Sequence, residues 1–159
     1  MSENIFKYPD HCAPQLIPST AFGSNVRALV SNKEWKSIRL EVFAKQGNYC
    51  KFCNATPSSL DCHEIWSYSW KTGETTGLQS LEDIYPLCKN CHGICHIGFW
   101  SLKGSVDHLE RHMAKVRRMS IPDVKAEIAN AFVIHDQLSK LNWELSVLKL
   151  STYLKGSAT

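Results

Sequence analysis

The hydrophobic positions of this chain recur at helical spacing in three separate segments. In the first segment, Ser31 and Glu34 form the pattern of a capping box, and Gly47 ends the run. Apolar residues three or four positions apart share one side of a helix, so all three segments predict amphipathic helices. The hydrophobic stripes are Trp35, Ile38 and Val42 in the first segment, Val106, Leu109, Met113 and Val116 after Ser105, and Val124, Ile128, Phe132 and Leu138 after Ser120 and Pro122.

The middle of the chain has the pattern of a β-hairpin. Residues 60–70 and 78–85 are rich in β-branched and aromatic side chains, with glycines between them. Pro86 is expected to end the second strand, and a short helix is expected to begin near Lys89. Residues 143–148 alternate between apolar and polar positions, which predicts a strand or a final helical turn.

The order of these elements predicts an α+β fold in three parts. Residues 1–30 contain three of the six prolines and no sustained periodicity, so they predict an irregular N-terminal arm. Residues 31–104 are expected to form the core around the hairpin. Residues 105–159 are expected to form a helical extension packed on that core.

Composition and charge restrict the compartment and the partners. The net charge of +3 permits an anionic partner without requiring one. No apolar run approaches the roughly 18 residues that span a bilayer. The first residues, MSENIFKYPDHCAPQL, lack the basic start and apolar stretch of a signal peptide. We therefore expect a cytoplasmic protein without a membrane partner, in which the seven cysteines stay reduced and available to metals.

Four of the cysteines occur in two C-x2-C pairs. Cys50 and Cys53 form the first pair, and Cys88 and Cys91 form the second. A gap of two residues lets both sulfurs of a pair reach one ion, and two pairs complete a tetrahedron with no open position. The spacing thus predicts a structural Zn2+ site, and two unrelated pairs of buried thiols are the alternative.

The remaining cysteine patterns are less specific. Cys88, Cys91 and His92 also match the C-x-x-C-H pattern of covalent haem attachment, but that modification requires export from the cytosol. Cys12 and Cys95 are expected to be small core or surface thiols rather than ligands.

Two further motifs surround these cysteine pairs. The strand motif Asp61-Cys62-His63-Glu64-Ile65-Trp66 lies between the pairs, and His92 and His96 follow the second pair. This arrangement resembles the HNH endonucleases, and especially a group of small bacterial and phage members with a C-H-E-x-W strand motif. The resemblance implies a ββα-metal core clamped by zinc and hydrolysis of DNA phosphodiester bonds with Mg2+ or Mn2+.

The resemblance also implies roles for individual residues. His63 matches the general base of the family, and His92 matches a ligand of the catalytic divalent ion. A neutral imidazole suits the role of a base near pH 7. The position of the family's central Asn holds Asp83, and the position before the base, often an Asp ligand, holds Cys62. Because carboxylates suit hard cations better than thiols do, we expect a catalytic site of His63, Asp83 and His92, with His96 as a further ligand.

Basic residues at helical spacing could neutralise the phosphates of DNA, although such runs are usually solvated faces. The two stripes are Lys33, Lys36 and Arg39 on the first predicted helix, and Arg111, Lys115 and Arg118 on a later one. His108 and His112 also have ligand spacing, but on a charged helix they are expected to form a solvated face. Glu64 is expected to be a solvated or hydrogen-bonded side chain.

Three functions are compatible with these patterns. The first is a metal-dependent HNH endonuclease. The second is a catalytically inactive zinc protein of the same fold that binds nucleic acid, in which Cys62 and Asp83 mark a lost site. The third is a zinc-clamped interaction module with a helical docking surface. Metal-dependent cleavage distinguishes the first, and salt-sensitive DNA binding without cleavage distinguishes the second.

Overall fold

A four-stranded sheet forms the centre of the fold in the computed structural model, which describes residues 2–154. The strands follow chain order across the sheet, with two antiparallel pairings followed by a parallel one between the last two strands. The α+β class is confirmed. Met1 of the predicted arm and residues 155–159 of the predicted extension lie outside the described residues. The strands are β1 (Glu3–Lys7), β2 (Asp61–Lys71), β3 (Thr76–Leu87) and β4 (Asn142–Ser146).

The central hairpin, formed by β2 and β3, agrees closely with the two predicted strands. Its register places His63 opposite Tyr85, and the pairing shifts by one residue between Ile65 and Trp66. Pro86 does not end β3, contrary to the expectation, and instead pairs with Cys62. Its carbonyl accepts a hydrogen bond from the Lys51 backbone at 2.9 Å, and a proline near a strand end leaves few backbone bonds unmade.

The first long helix begins and ends as its sequence predicts. Ser31 Oγ accepts from the Glu34 backbone at 3.1 Å, and the Glu34 carboxylate accepts from the Ser31 backbone at 2.6 Å. Gly47 ends this helix with a φ of 96°, which suits glycine.

Within residues 2–154, no helix has both the length and the apolar character to cross a bilayer. The helices are α1 (Val26–Leu29), α2 (Asn32–Gln46), α3 (Lys89–Cys95), α4 (Ile97–Ser101), α5 (Asp107–Arg117) and α6 (Ile121–Leu138), with 3-10 turns at Ser19–Ala21 and Leu148–Tyr153.

Both ends of the chain contribute to the sheet. The prediction of an irregular arm was wrong for β1, which pairs with β2 so that Phe6 lies opposite Tyr68. Five alternating residues are too short a signal to stand out beside three prolines. The alternating segment near Trp143 forms β4, and a 3-10 helix follows it.

Two hydrophobic clusters fill the interior. One packs α2 against the hairpin through Ile38 and Val42. The other joins the N-terminal arm, the cysteine pairs and helices α3, α5 and α6. Phe132, expected on the buried stripe of α6, is 39% exposed, whereas Val124 is fully buried. The second cluster surrounds the residues that can bind metals.

Candidate metal centres

The four cysteines of the two C-x2-C pairs converge on one point. Their sulfur atoms all lie within 4.8 Å of one another, and the Cys53 and Cys88 sulfurs are 3.7 Å apart. Sulfurs around a tetrahedral zinc ion, with bonds of about 2.3 Å, lie roughly 3.8 Å apart. Burial raises the pKa of the Cys53 thiol to about 11, so a cation is needed for all four sulfurs to be thiolates at neutral pH. This cluster can hold a metal ion such as zinc.

Local backbone structure positions the two pairs. Asn54 adopts a left-handed φ of 63° after the first pair, and its N–H donates to the Cys50 carbonyl at 2.8 Å. Cys88 is the N-cap of α3, and its sulfur accepts from the Cys91 backbone at 3.4 Å. The sulfurs therefore lie at the end of one tight turn and at the start of one helix, which is the geometry that a two-residue gap allows.

A second group of possible ligands shares one of these cysteines. Cys12, Cys91 and His112 bring their ligand atoms within 4.8 Å of one another, and Cys91 Sγ lies 3.2 Å from His112 Nε2. The prediction that His112 belongs to a solvated face was therefore wrong. α5 packs against α3, and this packing turns His112 towards the cysteines while His108 stays exposed.

The third group consists of three histidines. His63 lies on β2, and His92 and His96 are one turn apart on α3. Their ligand atoms lie within 4.8 Å of one another, and the ring centroids are 4.8 to 5.1 Å apart. Packing of α3 on the hairpin brings the three imidazoles together, so all three of these predicted site residues meet in one place.

Oxygen atoms outside the group orient two of the rings. His92 Nδ1 donates to Asp61 Oδ2 at 3.0 Å, and His63 Nε2 donates to the Gln15 side-chain oxygen at 2.8 Å. In a neutral imidazole, donation from one nitrogen leaves a lone pair on the other nitrogen. Histidines that bind metals commonly donate their second nitrogen to a carboxylate or carbonyl oxygen in this way.

The protonation states suit metal binding. Burial and the neighbouring histidines lower the pKa of His63 well below its usual value. Burial and the neighbouring His92 lower the pKa of His96 to about 4. Both imidazoles are consequently neutral at pH 7, which is the form that binds a metal.

Asp83 does not meet the histidines, contrary to the expected catalytic site. Its carboxylate accepts from Gln46 at 3.0 Å, from the Ile84 backbone at 2.8 Å and from the Tyr153 hydroxyl. It belongs to none of the three ligand groups within residues 2–154. The pairing shift after Ile65 and the approach of Leu148–Tyr153 give Asp83 a structural environment instead.

Asp61 is the carboxylate that sequence reasoning missed. It lies two residues before His63, and residues i and i+2 of a strand share one face. Cys62, between them, packs in the cluster on the α2 side, and burial raises the pKa of its thiol to about 11. Glu64 likewise serves local structure, because its carboxylate accepts from the Val26 backbone at 2.6 Å. Strand alternation was the signal that could have identified Asp61.

The basic residues remain largely at the surface. Arg39 is the exception, because its guanidinium donates to the Leu60 carbonyl at 3.2 Å and lies over the Phe43 ring. The exposed basic residues of the two predicted stripes are Lys33, Lys36, Arg111, Lys115 and Arg118.

Known proteins offer no match against which to compare these centres. Comparisons with models of protein families, with curated proteins and with solved structures each found nothing similar to this chain.

Proposed function

We propose that this chain is a metal-dependent endonuclease of the HNH type that hydrolyses DNA phosphodiester bonds. The observation that supports the proposal most is the meeting of His63, His92 and His96 on a hairpin and a helix. The four-cysteine cluster joins the start of that helix to the loop that precedes the hairpin. This combination is what the resemblance of the sequence to HNH endonucleases implies.

In the proposed site, His92 and His96 hold a divalent ion, and Asp61 orients His92. A divalent ion in such a position polarises a phosphate and stabilises the charge that develops on the leaving oxygen. Mn2+ suits this ligand set better than Mg2+, because imidazole favours transition metals over the hardest cations.

His63 has two possible roles in this site. The resemblance implies a general base, which must reach an attacking water molecule. However, the residue is 3% exposed and its Nε2 faces Gln15. The structure therefore favours His63 as a third ligand, and we include it as a ligand in the proposal.

Nicking of a supercoiled plasmid tests the function and the role of His63 together. The wild type should nick DNA with Mn2+ or Mg2+ and not in a chelator, and His92→Ala should be at least about 100-fold slower. His108→Ala is the matched control, because His108 is an exposed histidine outside all three groups of the described chain. A wild type that is inert with every metal and substrate would refute the nuclease.

Metal binding by His63→Ala then separates the two roles. If His63 is a ligand, His63→Ala should lose Mn2+ affinity, as the separate variant His96→Ala should. If it binds Mn2+ like the wild type yet does not cut DNA, His63 is the base and the ligand assignment is wrong. Electron paramagnetic resonance of free Mn2+ provides the measurement.

The second candidate is a zinc protein that binds nucleic acid without cutting it. Five exposed basic residues on α2 and around α5 favour it, together with the burial of His63. This function predicts DNA binding that weakens as salt rises, with no cleavage under any metal. Lys33→Gln with Lys36→Gln should reduce the salt dependence of that binding.

A further inference from the structure

We propose that a second divalent ion binds beside the four-cysteine cluster, held by Cys12, Cys91 and His112. The Cys91 thiolate would bridge this ion and the zinc of the cluster. The proposal is independent of the nuclease function, because it concerns residues outside the three histidines.

The spacing of the three ligands fits one ion. Their ligand atoms lie within 4.8 Å of one another, and Cys91 Sγ is 3.2 Å from His112 Nε2. Around a tetrahedral zinc ion, with bonds of about 2.0 Å to nitrogen and 2.3 Å to sulfur, those two atoms lie roughly 3.5 Å apart. Only Cys91 belongs to both this group and the four-cysteine cluster.

Cys12 is held in place although it lies in the N-terminal arm. Its side chain is fully buried, and its carbonyl accepts from the Arg117 guanidinium at 3.3 Å. Three residues later, the Gln15 backbone donates to the Cys95 carbonyl at 3.0 Å. Contacts with both α5 and α3 therefore fix this part of the arm. The position of Cys12 next to Cys91 thus follows from the packing of the fold.

Charge balance favours a second cation at this position. One divalent ion with four thiolates leaves two net negative charges in a cluster whose Cys50 and Cys91 are fully buried. Two divalent ions with five thiolates and a neutral imidazole leave one net negative charge. Because buried net charge is costly, the shared arrangement reduces that cost.

The ligand types indicate which metals can bind. Two sulfurs and one imidazole suit zinc and its analogues cobalt and cadmium, whereas magnesium and calcium require oxygen ligands. Three protein ligands leave a fourth position for water, which distinguishes this site from the closed four-cysteine cluster.

Metal content of the full chain tests the proposal. The double variant His92→Ala, His96→Ala removes the histidine group and serves as the background. This variant should bind two equivalents of zinc, and mass spectrometry of the metal content measures this number. Adding Cys12→Ser should reduce this to one equivalent. Adding Cys62→Ser should leave it at two, because Cys62 belongs to no ligand group of the described residues.

A second readout reports the bridge itself. Cadmium-113 substitution in the same background should give two resonances with thiolate shifts, both coupled to the Cys91 β-protons. His112→Gln, which keeps a polar side chain at this position of α5, should remove one of them while circular dichroism remains unchanged. If Cys12→Ser fails to fold, His112→Gln decides the question.

One outcome overturns the proposal clearly. If the background binds a single equivalent and neither Cys12→Ser nor His112→Gln changes it, the two side chains only donate hydrogen bonds to the Cys91 thiolate. A single cadmium resonance would lead to the same conclusion.

Discussion

Asp61 and Gln15 each present an oxygen atom to one ring nitrogen of a clustered histidine. Such contacts fix the tautomer and the angle of an imidazole before any ion arrives. They come from different parts of the chain, because Asp61 begins β2 while Gln15 belongs to the N-terminal arm. The arm therefore acts on the histidine group as well as on the cysteines.

Replacing Asp61 should weaken metal binding by the histidine group. Asp61→Asn removes the carboxylate that accepts from His92 Nδ1 and orients its ring, so Mn2+ affinity should fall by about 10- to 100-fold. Titration calorimetry measures this change. Asp136→Asn is the matched control, because Asp136 contacts His135 at 3.1 Å outside the group. Equal affinities in wild type and Asp61→Asn would contradict the role of Asp61.

Glu64 should make stability depend on pH. Burial raises the pKa of its carboxyl to about 7, from about 4.5 in the unfolded chain. The native state therefore holds the proton more tightly, and the wild type should lose stability as pH rises from about 5 to beyond 7. Glu64→Gln lacks this charge, so its stability relative to the wild type should increase by about 2 kcal/mol between pH 5.5 and pH 8.

Urea unfolding of the wild type and of Glu64→Gln at pH 5.5 and at pH 8 measures this difference in the free energy of unfolding. Glu41→Gln, at a partly exposed position of α2, is the control and should follow the wild type. A constant difference between wild type and Glu64→Gln across this range would show that the carboxyl ionises normally in the native state.

At the residue scale, spacing identified the members of the ligand groups better than it identified their surroundings. The four cysteines, and His92 with His96, were predicted from spacings within one turn or helix. His63 was predicted from the resemblance to HNH endonucleases, and Cys12 and His112 were not expected to be ligands. Asp83 was placed wrongly, since its partners Gln46 and Tyr153 come from elements far away in the chain. Such contacts depend on register and packing, which a single sequence does not specify.

Among the elements, β3 and β4 show a close approach that only glycine allows. A β-carbon on Gly77 would lie 2.4 Å from the Trp143 ring and 2.6 Å from the Ser69 carbonyl oxygen. Trp143 is the residue opposite Gly77 in the parallel pairing. The indole therefore occupies the space that a side chain would need.

Gly77→Ala should destabilise the protein by about 1 to 3 kcal/mol, because backbone and ring must move apart to accommodate the methyl group. Thermal unfolding monitored by Trp fluorescence measures the loss. Thr76→Ala, at the exposed neighbouring position, should change stability by no more than about 0.5 kcal/mol. Equal destabilisation by both substitutions would mean that the strand end, rather than the contact, is sensitive.

Elements with local start and stop signals were the predictable ones. The capping box and Gly47 located α2, and Ser120 with Pro122 located the start of α6. β1 escaped prediction because it is stable only through its pairing with β2. The same holds for β4, where the local pattern allowed both a strand and a helical turn.

For the whole molecule, the four-cysteine cluster connects the end of α2 to the start of α3. Removing its metal should loosen both, because the four sulfurs would then repel one another or take up protons. We expect a strong chelator, or Cys88→Ser, to lower the melting temperature by roughly 10 °C or more. Cys62→Ser should change it much less, and an unchanged melting temperature after complete zinc removal would contradict a structural role.

The three parts of the chain that the sequence predicts all contribute strands to one sheet. β1 comes from residues 1–30 and β4 from residues 105–159, yet both extend the sheet of the central hairpin. Cys12 and His112 also come from outside residues 31–104 and meet Cys91 within them. The predicted boundaries therefore divide the chain by composition rather than by packing.

The pairings of β1 with β2 and of β3 with β4 have a consequence for synthesis of the protein. Each joins segments far apart in the chain, such as Glu3 with Lys71 and Thr76 with Asn142. Long-range pairings of this kind raise contact order and slow folding. The sheet can be completed only after residues 142–146 have emerged from the ribosome, so β3 remains an unpaired edge of the sheet until that point.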